Sequence, residues 1–168
     1  MNSLLRSLAL LLMLAALAYK ESGLNPNVRS NRGAVGIMQL LPSTGGEVGI
    51  RGARLTSLEG SVEAACRYMR LILDTYFNDP GLDVLNRHLF ALAAYNAGPN
   101  RVQAIRAKAE AAGLDPNVWF GNVEQLVANE VGQGPINYVS TIYKYYVAYK
   151  LAEDKHRKRR VLTHKTEH

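Results

Sequence analysis

Residues 8–26 read Leu8-Ala9-Leu10-Leu11-Leu12-Met13-Leu14-Ala15-Ala16-Leu17-Ala18-Tyr19-Lys20-Glu21-Ser22-Gly23-Leu24-Asn25-Pro26. Twelve consecutive apolar residues, Leu8 to Tyr19, lead to a carboxylic acid two residues on. Leu and Ala are strong helix formers and neither Gly nor Pro interrupts the run, so it reads as a buried helix. It is too short for a membrane span, which takes about 18 apolar residues or more. Arg6 ahead of it and Ala16-Leu17-Ala18 within it also give it the look of a secretory signal with a small-residue cleavage site.

Outward from that run the chain alternates helices and breakers. Pro26, Gly33, Gly36, Pro42, Gly45, Gly46, Gly49 and Gly52 mark residues 23–55 as turn-rich, with one short helix starting near Pro42, where Pro suits a first helical turn. Thr56-Ser57-Leu58-Glu59 has capping-box spacing and opens a helix to about Phe77, with Val62, Ala65, Cys66, Met69, Leu71, Ile72 and Leu73 as its apolar side. Asn78-Asp79-Pro80-Gly81 is a turn. Further helices are expected over Leu82–Asn96, Arg101–Ala112, a short one around Val123–Asn129, and a last one over Pro135–Ala152. No repeat and no strand-length alternation is present. The fold class is all-α, with at most a minor strand pair in residues 28–40.

The 168 residues suit one domain, with 1–152 as its body and 153–168 as a basic tail. Of the net charge of +6, +4 lies in residues 150–168. The run Lys155-His156-Arg157-Lys158-Arg159-Arg160 reads first as a solvated, disordered end and not as a nucleic-acid site; it is also the segment that would dock on an anionic wall or membrane surface. Cys66 is the only cysteine, which excludes an intrachain disulfide. The four histidines are scattered, three of them in the last thirteen residues, so no metal site and no cofactor is expected.

Glu21 is the first residue with chemistry to offer. A carboxyl held against Leu and Ala is poorly solvated, which disfavours its anion and raises its pKa. An acid still protonated near neutral pH is what glycosidic cleavage requires of a general acid. Two other segments bear on it. Ser30-Asn31-Arg32-Gly33-Ala34-Val35-Gly36-Ile37-Met38-Gln39 lets backbone pass close to a ligand at its glycines, and Gln39 offers a donor and an acceptor to a sugar amide or hydroxyl. Ala93-Ala94-Tyr95-Asn96-Ala97-Gly98-Pro99 ends a helix with a phenol and an amide.

In order and spacing, these three segments resemble the lytic transglycosylases of the SLT, lysozyme-like superfamily, over Leu11 to about Leu151. The closing half, Trp119-Phe120-Gly121-Asn122-Val123 with Asn137-Tyr138-Val139, looks most like the catalytic domain of the membrane-bound type F branch. The resemblance implies a goose-type-lysozyme-like helical domain and a bacterial lyase of the cell envelope, periplasmic or associated with the outer membrane. Its substrate would be peptidoglycan glycan strands, cut between N-acetylmuramic acid and N-acetylglucosamine with formation of 1,6-anhydromuramyl ends. It implies Glu21 as the single catalytic acid and base, Ser30 as a serine bonding near that carboxyl, and Met38, Gln39, Tyr95, Asn96 and Tyr138 as substrate-binding residues. In such a domain the helix before the acid is structural, which favours Ser3–Lys20 as a retained helix over a removable signal.

Two departures from the family pattern stand out. Leu41 replaces a common Met, a volume-conserving change. Gly134 stands where many members carry Glu, four residues before the late tyrosine; the nearest upstream acid is Glu130. The alternatives are a lysozyme-type hydrolase of the same bond and a catalytically weak glycan-binding module. A two-carboxylate hydrolase needs a partner acid roughly 5–10 Å away, and between Glu21 and Glu59 only Glu47 is available.

Overall fold

The apolar run forms α1 (Ser3–Ser22). The structure, a computed structural model, describes the backbone of residues 3–166 and the side chains of residues 11–155. Ala16 and Leu17 are fully buried and Ala18 nearly so, which puts the triplet that resembles a cleavage site inside the core. α1 is covered by the last helix, α8 (Gln133–Thr166). Two contacts set their relative direction. Glu21 meets Tyr138, while Tyr19 meets Tyr145 edge-on with ring centroids 4.9 Å apart. A step back along α1 is a step forward along α8, so the two helices are antiparallel.

Residues 23–57 wrap the C-terminal end of α1. In place of the minor strand pair there are two isolated antiparallel bridges, Arg29 with Val35 and Val35 with Leu40, and the described residues hold no strand. Pro42 takes the first turn of α2 (Pro42–Glu47), as its fixed φ favours. A short α3 (Ala53–Thr56) leads into α4 (Leu58–Thr75). The cap of α4 falls one residue later than the sequence spacing suggests. The Thr56 hydroxyl donates to the Ala53 carbonyl at 3.0 Å and closes α3, leaving Ser57 Oγ to accept from the Gly60 amide at 3.1 Å. α3 and α4 meet so tightly that a Cβ on Gly60 would lie 1.9 Å from the Arg54 carbonyl oxygen.

α5 (Val84–Ala97) starts at Asp83, whose carboxylate accepts from the Asn86 amide at 2.7 Å. It is the central helix: Leu89 through Ala94 are buried on all sides. Phe90 stacks on Phe77 at 5.6 Å and meets Trp119 edge-on at 5.5 Å. Burying rings of this size stabilises by roughly 1.5–3 kcal/mol each. α6 (Pro99–Arg106) stops earlier than its apolar spacing suggests, and a single tighter turn, Glu110–Ala112, follows. Its last residue is committed to two loops. Arg106 donates from Nε to the Pro116 carbonyl at 2.6 Å and from Nη2 to Asp79 at 2.9 Å. A wide turn, Trp119–Val123, precedes α7 (Glu124–Glu130).

The sequence pattern predicts that the last helix ends at Ala152. Its backbone stays helical to Thr166. Residues 151–166 contain neither Gly nor Pro and are rich in Lys, Arg and Glu, so nothing in the sequence stops the helix. The side chains from His156 onward, and with them most of the basic run, lie outside the described residues.

Candidate active site

The C-terminal ends of α1 and α5 and the first turns of α8 converge on one carboxyl. Glu21, next to last in α1, accepts a hydrogen bond from the Tyr138 hydroxyl. Burial lifts its pKa from the ordinary 4.5 to about 7; the Tyr138 bond and the Lys20 charge pull it the other way and do not win. Such a group is close to half protonated at neutral pH and can both give and take a proton. Tyr138 is 5% exposed. Burial raises the Tyr138 and Tyr95 phenols well above their usual value, and the nearby Glu21 charge raises them further. Both therefore keep their protons over any working pH.

Tyr95 reaches across from α5 to the turn 36–39, where its hydroxyl donates to the Met38 carbonyl at 2.9 Å. The Tyr95 proton is thereby committed, and its oxygen is left with lone pairs to accept. Tyr68 flanks it at 5.5 Å between ring centroids. Gln39 sits at φ +48°, a conformation that costs a residue with a Cβ on the order of 1 kcal/mol. Its side-chain amide offsets that cost by donating to the Val28 and Gly36 carbonyls, both at 2.9 Å. Both bonds use Nε2, so Oε1 is the acceptor Gln39 has left. Strain gathered at a turn that borders a buried acid is a common mark of a functional site.

The remaining expected residues are placed differently. Met38 packs its side chain in the core at 1% exposure, so its contribution to the site is backbone only. Asn96 is exposed beside Tyr95. Ser30 is exposed, and its hydroxyl accepts from the Ala34 amide at 3.0 Å within its own turn. The serine joined to the acid by the chain is Ser22. Its hydroxyl donates to the Ile37 carbonyl at 2.8 Å and so ties the acid-bearing end of α1 to the glycine-rich turn. Glu130 pairs with Lys108 at 2.8 Å on the surface and is not among the groups that act on Glu21, which are Tyr138 and Lys20. Gly134 is exposed with open space where a side chain would project. Among the described residues no group of three or more His, Cys, Asp or Glu could hold a metal.

At one end of this helical domain a largely buried carboxyl is bonded by a phenol and edged by a strained, glycine-rich turn, an arrangement that can hold and pass a proton. Residues 9–117 match the family described as the transglycosylase SLT domain, and the chain belongs to that family. It is 35% identical over 146 residues to membrane-bound lytic murein transglycosylase F of Shewanella woodyi, covering 79% of this chain and 30% of that protein. The protein of the same name from Marinobacter nauticus is 34% identical over 150 residues, covering 80% of this chain and 28% of that one. The chain thus spans under a third of the length of these relatives. An inactive mutant of lytic transglycosylase Slt from Pseudomonas aeruginosa superposes with a TM-score of 0.63 over 85% of this chain and 22% of that one, at 23% identity. That likeness supports the all-α, lysozyme-like fold. Among the described residues no helix is long and apolar enough to cross a membrane.

Proposed function

We propose that this domain is a peptidoglycan lytic transglycosylase that cuts the β-1,4 bond between N-acetylmuramic acid and N-acetylglucosamine. The observation that carries this reading is the Glu21 carboxyl, raised to about 7 by burial and bonded by Tyr138. In the first half of the reaction Glu21 protonates the bridging oxygen while an oxocarbenium-like centre develops at the muramyl C1. In the second half the same group, now anionic, takes the proton of the muramyl C6 hydroxyl as that oxygen closes on C1. The product is a 1,6-anhydromuramyl end. Tyr138 stabilises the anion between the two halves by donating to it. Tyr95, with its proton committed to Met38, is placed to accept from a sugar hydroxyl, and Gln39 Oε1 is a second acceptor. Asn96, exposed beside Tyr95, would meet the outer part of the strand; Met38 acts through its backbone, and Ser30 shapes the loop.

One carboxyl serving twice needs no second acid. The charged neighbour that acts on Glu21 is Lys20, a cation; Glu47, the acid available in the following segment, acts on Tyr68, behind Tyr95, and is not among the groups that act on Glu21. We place the protein in the bacterial envelope, on the periplasmic side, with the basic end of α8 as the segment that would dock on the wall or a membrane surface.

Mass spectrometry of muropeptides released from purified cell wall tests the assignment. Anhydromuramyl ends are expected; reducing ends would make the domain a hydrolase, and binding without release would make it a glycan-binding module. Glu21→Gln should abolish cleavage and keep wall binding, whereas Tyr95→Phe should lower turnover less severely. Cleavage retained in Glu21→Gln would reject the reading.

A further inference from the structure

Ser61, in the first turns of α4, is fully buried, the one polar side chain in that state among the described residues. A buried hydroxyl costs free energy unless it is bonded, and an alanine would suit the same apolar surroundings. Its Oγ accepts from the Met38 amide at 3.3 Å. Gly36 closes on it from the same turn, at φ +77°, so near that a Cβ there would lie 2.7 Å from Ser61 Oγ. The turn 36–39 is therefore gripped by one side chain from each of three helices. Ser22 of α1 donates to the Ile37 carbonyl at 2.8 Å, Ser61 of α4 takes the Met38 amide, and Tyr95 of α5 donates to the Met38 carbonyl at 2.9 Å. Ser22 adjoins Glu21 in the chain, and Tyr95 feels the charge of Glu21. Ser61 touches no solvent, so it meets no ligand and acts only through the turn.

We propose that Ser61 is a positioning residue for the Glu21 site: by holding the Met38 peptide it keeps the 36–39 turn closed over the end of α1 and fixes the acceptor at which Tyr95 is aimed. This rests on the reading of Glu21 as acid and base given above. Without that anchor the Met38 amide is left unpaired, the turn loosens, and water reaches the Glu21 carboxyl. The groups facing that carboxyl are Lys20 on its own helix, Tyr138 from α8 and Tyr95 from α5, with Tyr68 and Cys66 acting on Tyr95 from α4. Only Lys20 among them is charged at neutral pH, so hydration decides the outcome and moves Glu21 from about 7 back toward 4.5.

The test is an NMR titration of the Glu21 side-chain carboxyl carbon, assigned with Glu21→Gln, in the full chain carrying Ser61→Ala, Ser61→Cys or Ser61→Thr. Ala and Cys lower the titration midpoint by about one pH unit or more, and Thr, which retains the hydroxyl, keeps it. In glycan-cleavage assays Ala and Cys lower kcat roughly tenfold with KM changed less than about twofold, because the loss falls on the reacting groups. If Ser61→Ala does not fold, Ser61→Cys, which nearly conserves volume and removes the strong acceptor, is read in its place. A midpoint unmoved in the folded variants, with thermal stability lowered, would make Ser61 a packing residue and overturn the proposal. The titration needs no turnover, so a shifted midpoint in a protein that leaves glycan uncut would defeat the functional reading alone.

Discussion

Keeping Glu21 neutral has a cost that can be measured as stability. Its folded pKa of about 7 lies above the ordinary 4.5, so the folded chain holds a proton that the unfolded chain has released. The sign follows from proton counting. Between pH 4.5 and 7 the native state binds more protons than the unfolded state, so stability falls as pH rises through that window and levels off on either side. A shift of that size corresponds to about 3 kcal/mol. The carboxyl keeps some contact with water, which brings the expected loss to about 2 kcal/mol. Glu21→Gln removes the titration and retains an oxygen to accept from Tyr138. Urea unfolding of both proteins at intervals from pH 4 to pH 9 isolates the effect, because groups that Glu21 does not touch cancel in the difference and the coupled Tyr95 and Tyr138 phenols keep their protons in the folded chain across that range. The variant should gain about 2 kcal/mol over the native chain between the acid and alkaline ends. A stability difference that does not change with pH would refute the desolvation argument, and with it the account of how this acid holds its proton.

Two other substitutions probe the surroundings. Tyr138→Phe removes the bond that favours the Glu21 anion, so the carboxyl should titrate about one unit higher in a carbon NMR titration, with the alkaline limb of the activity profile moving the same way. Gly134→Glu places an acid in the first turn of α8, in open space and near the positive end of the helix dipole; thermal unfolding should show a gain of about 1 kcal/mol, and its turnover measures how much support the missing acid would have given.

The parts of this domain that could be read in the sequence are those fixed by neighbours in the chain. The uninterrupted Leu/Ala run forecast α1, Pro42 forecast the start of α2, and the apolar setting of Glu21 forecast the direction of its pKa. Local signals were less able to resolve competing choices. Thr56 and Ser57 are both good caps, and only the bond from Thr56 to Ala53 settles which one opens α4. Ser30 and Ser22 are both serines near the acid in sequence, and it is the fold that gives Ser22 the Ile37 carbonyl. Nothing local in the sequence singles out Ser61, because its bond to Met38 spans 23 positions, beyond any helical period. The apolar spacing that marks the last helix stops near Ala152, whereas helix formers run on without a break and the backbone stays helical to Thr166.

The hydrogen bond between Glu21 and Tyr138 joins residues 117 positions apart, the acid near the beginning of the chain and its phenol near the end. A chain leaving the ribosome N-terminus first therefore presents the acid long before the helix that completes its surroundings. Until α8 docks, α1 lacks its cover, Glu21 stands in water, and a hydrated carboxylate is a poor proton donor. The antiparallel pairing of α1 with α8 therefore brings the surroundings of this carboxyl together only once both helices are in place.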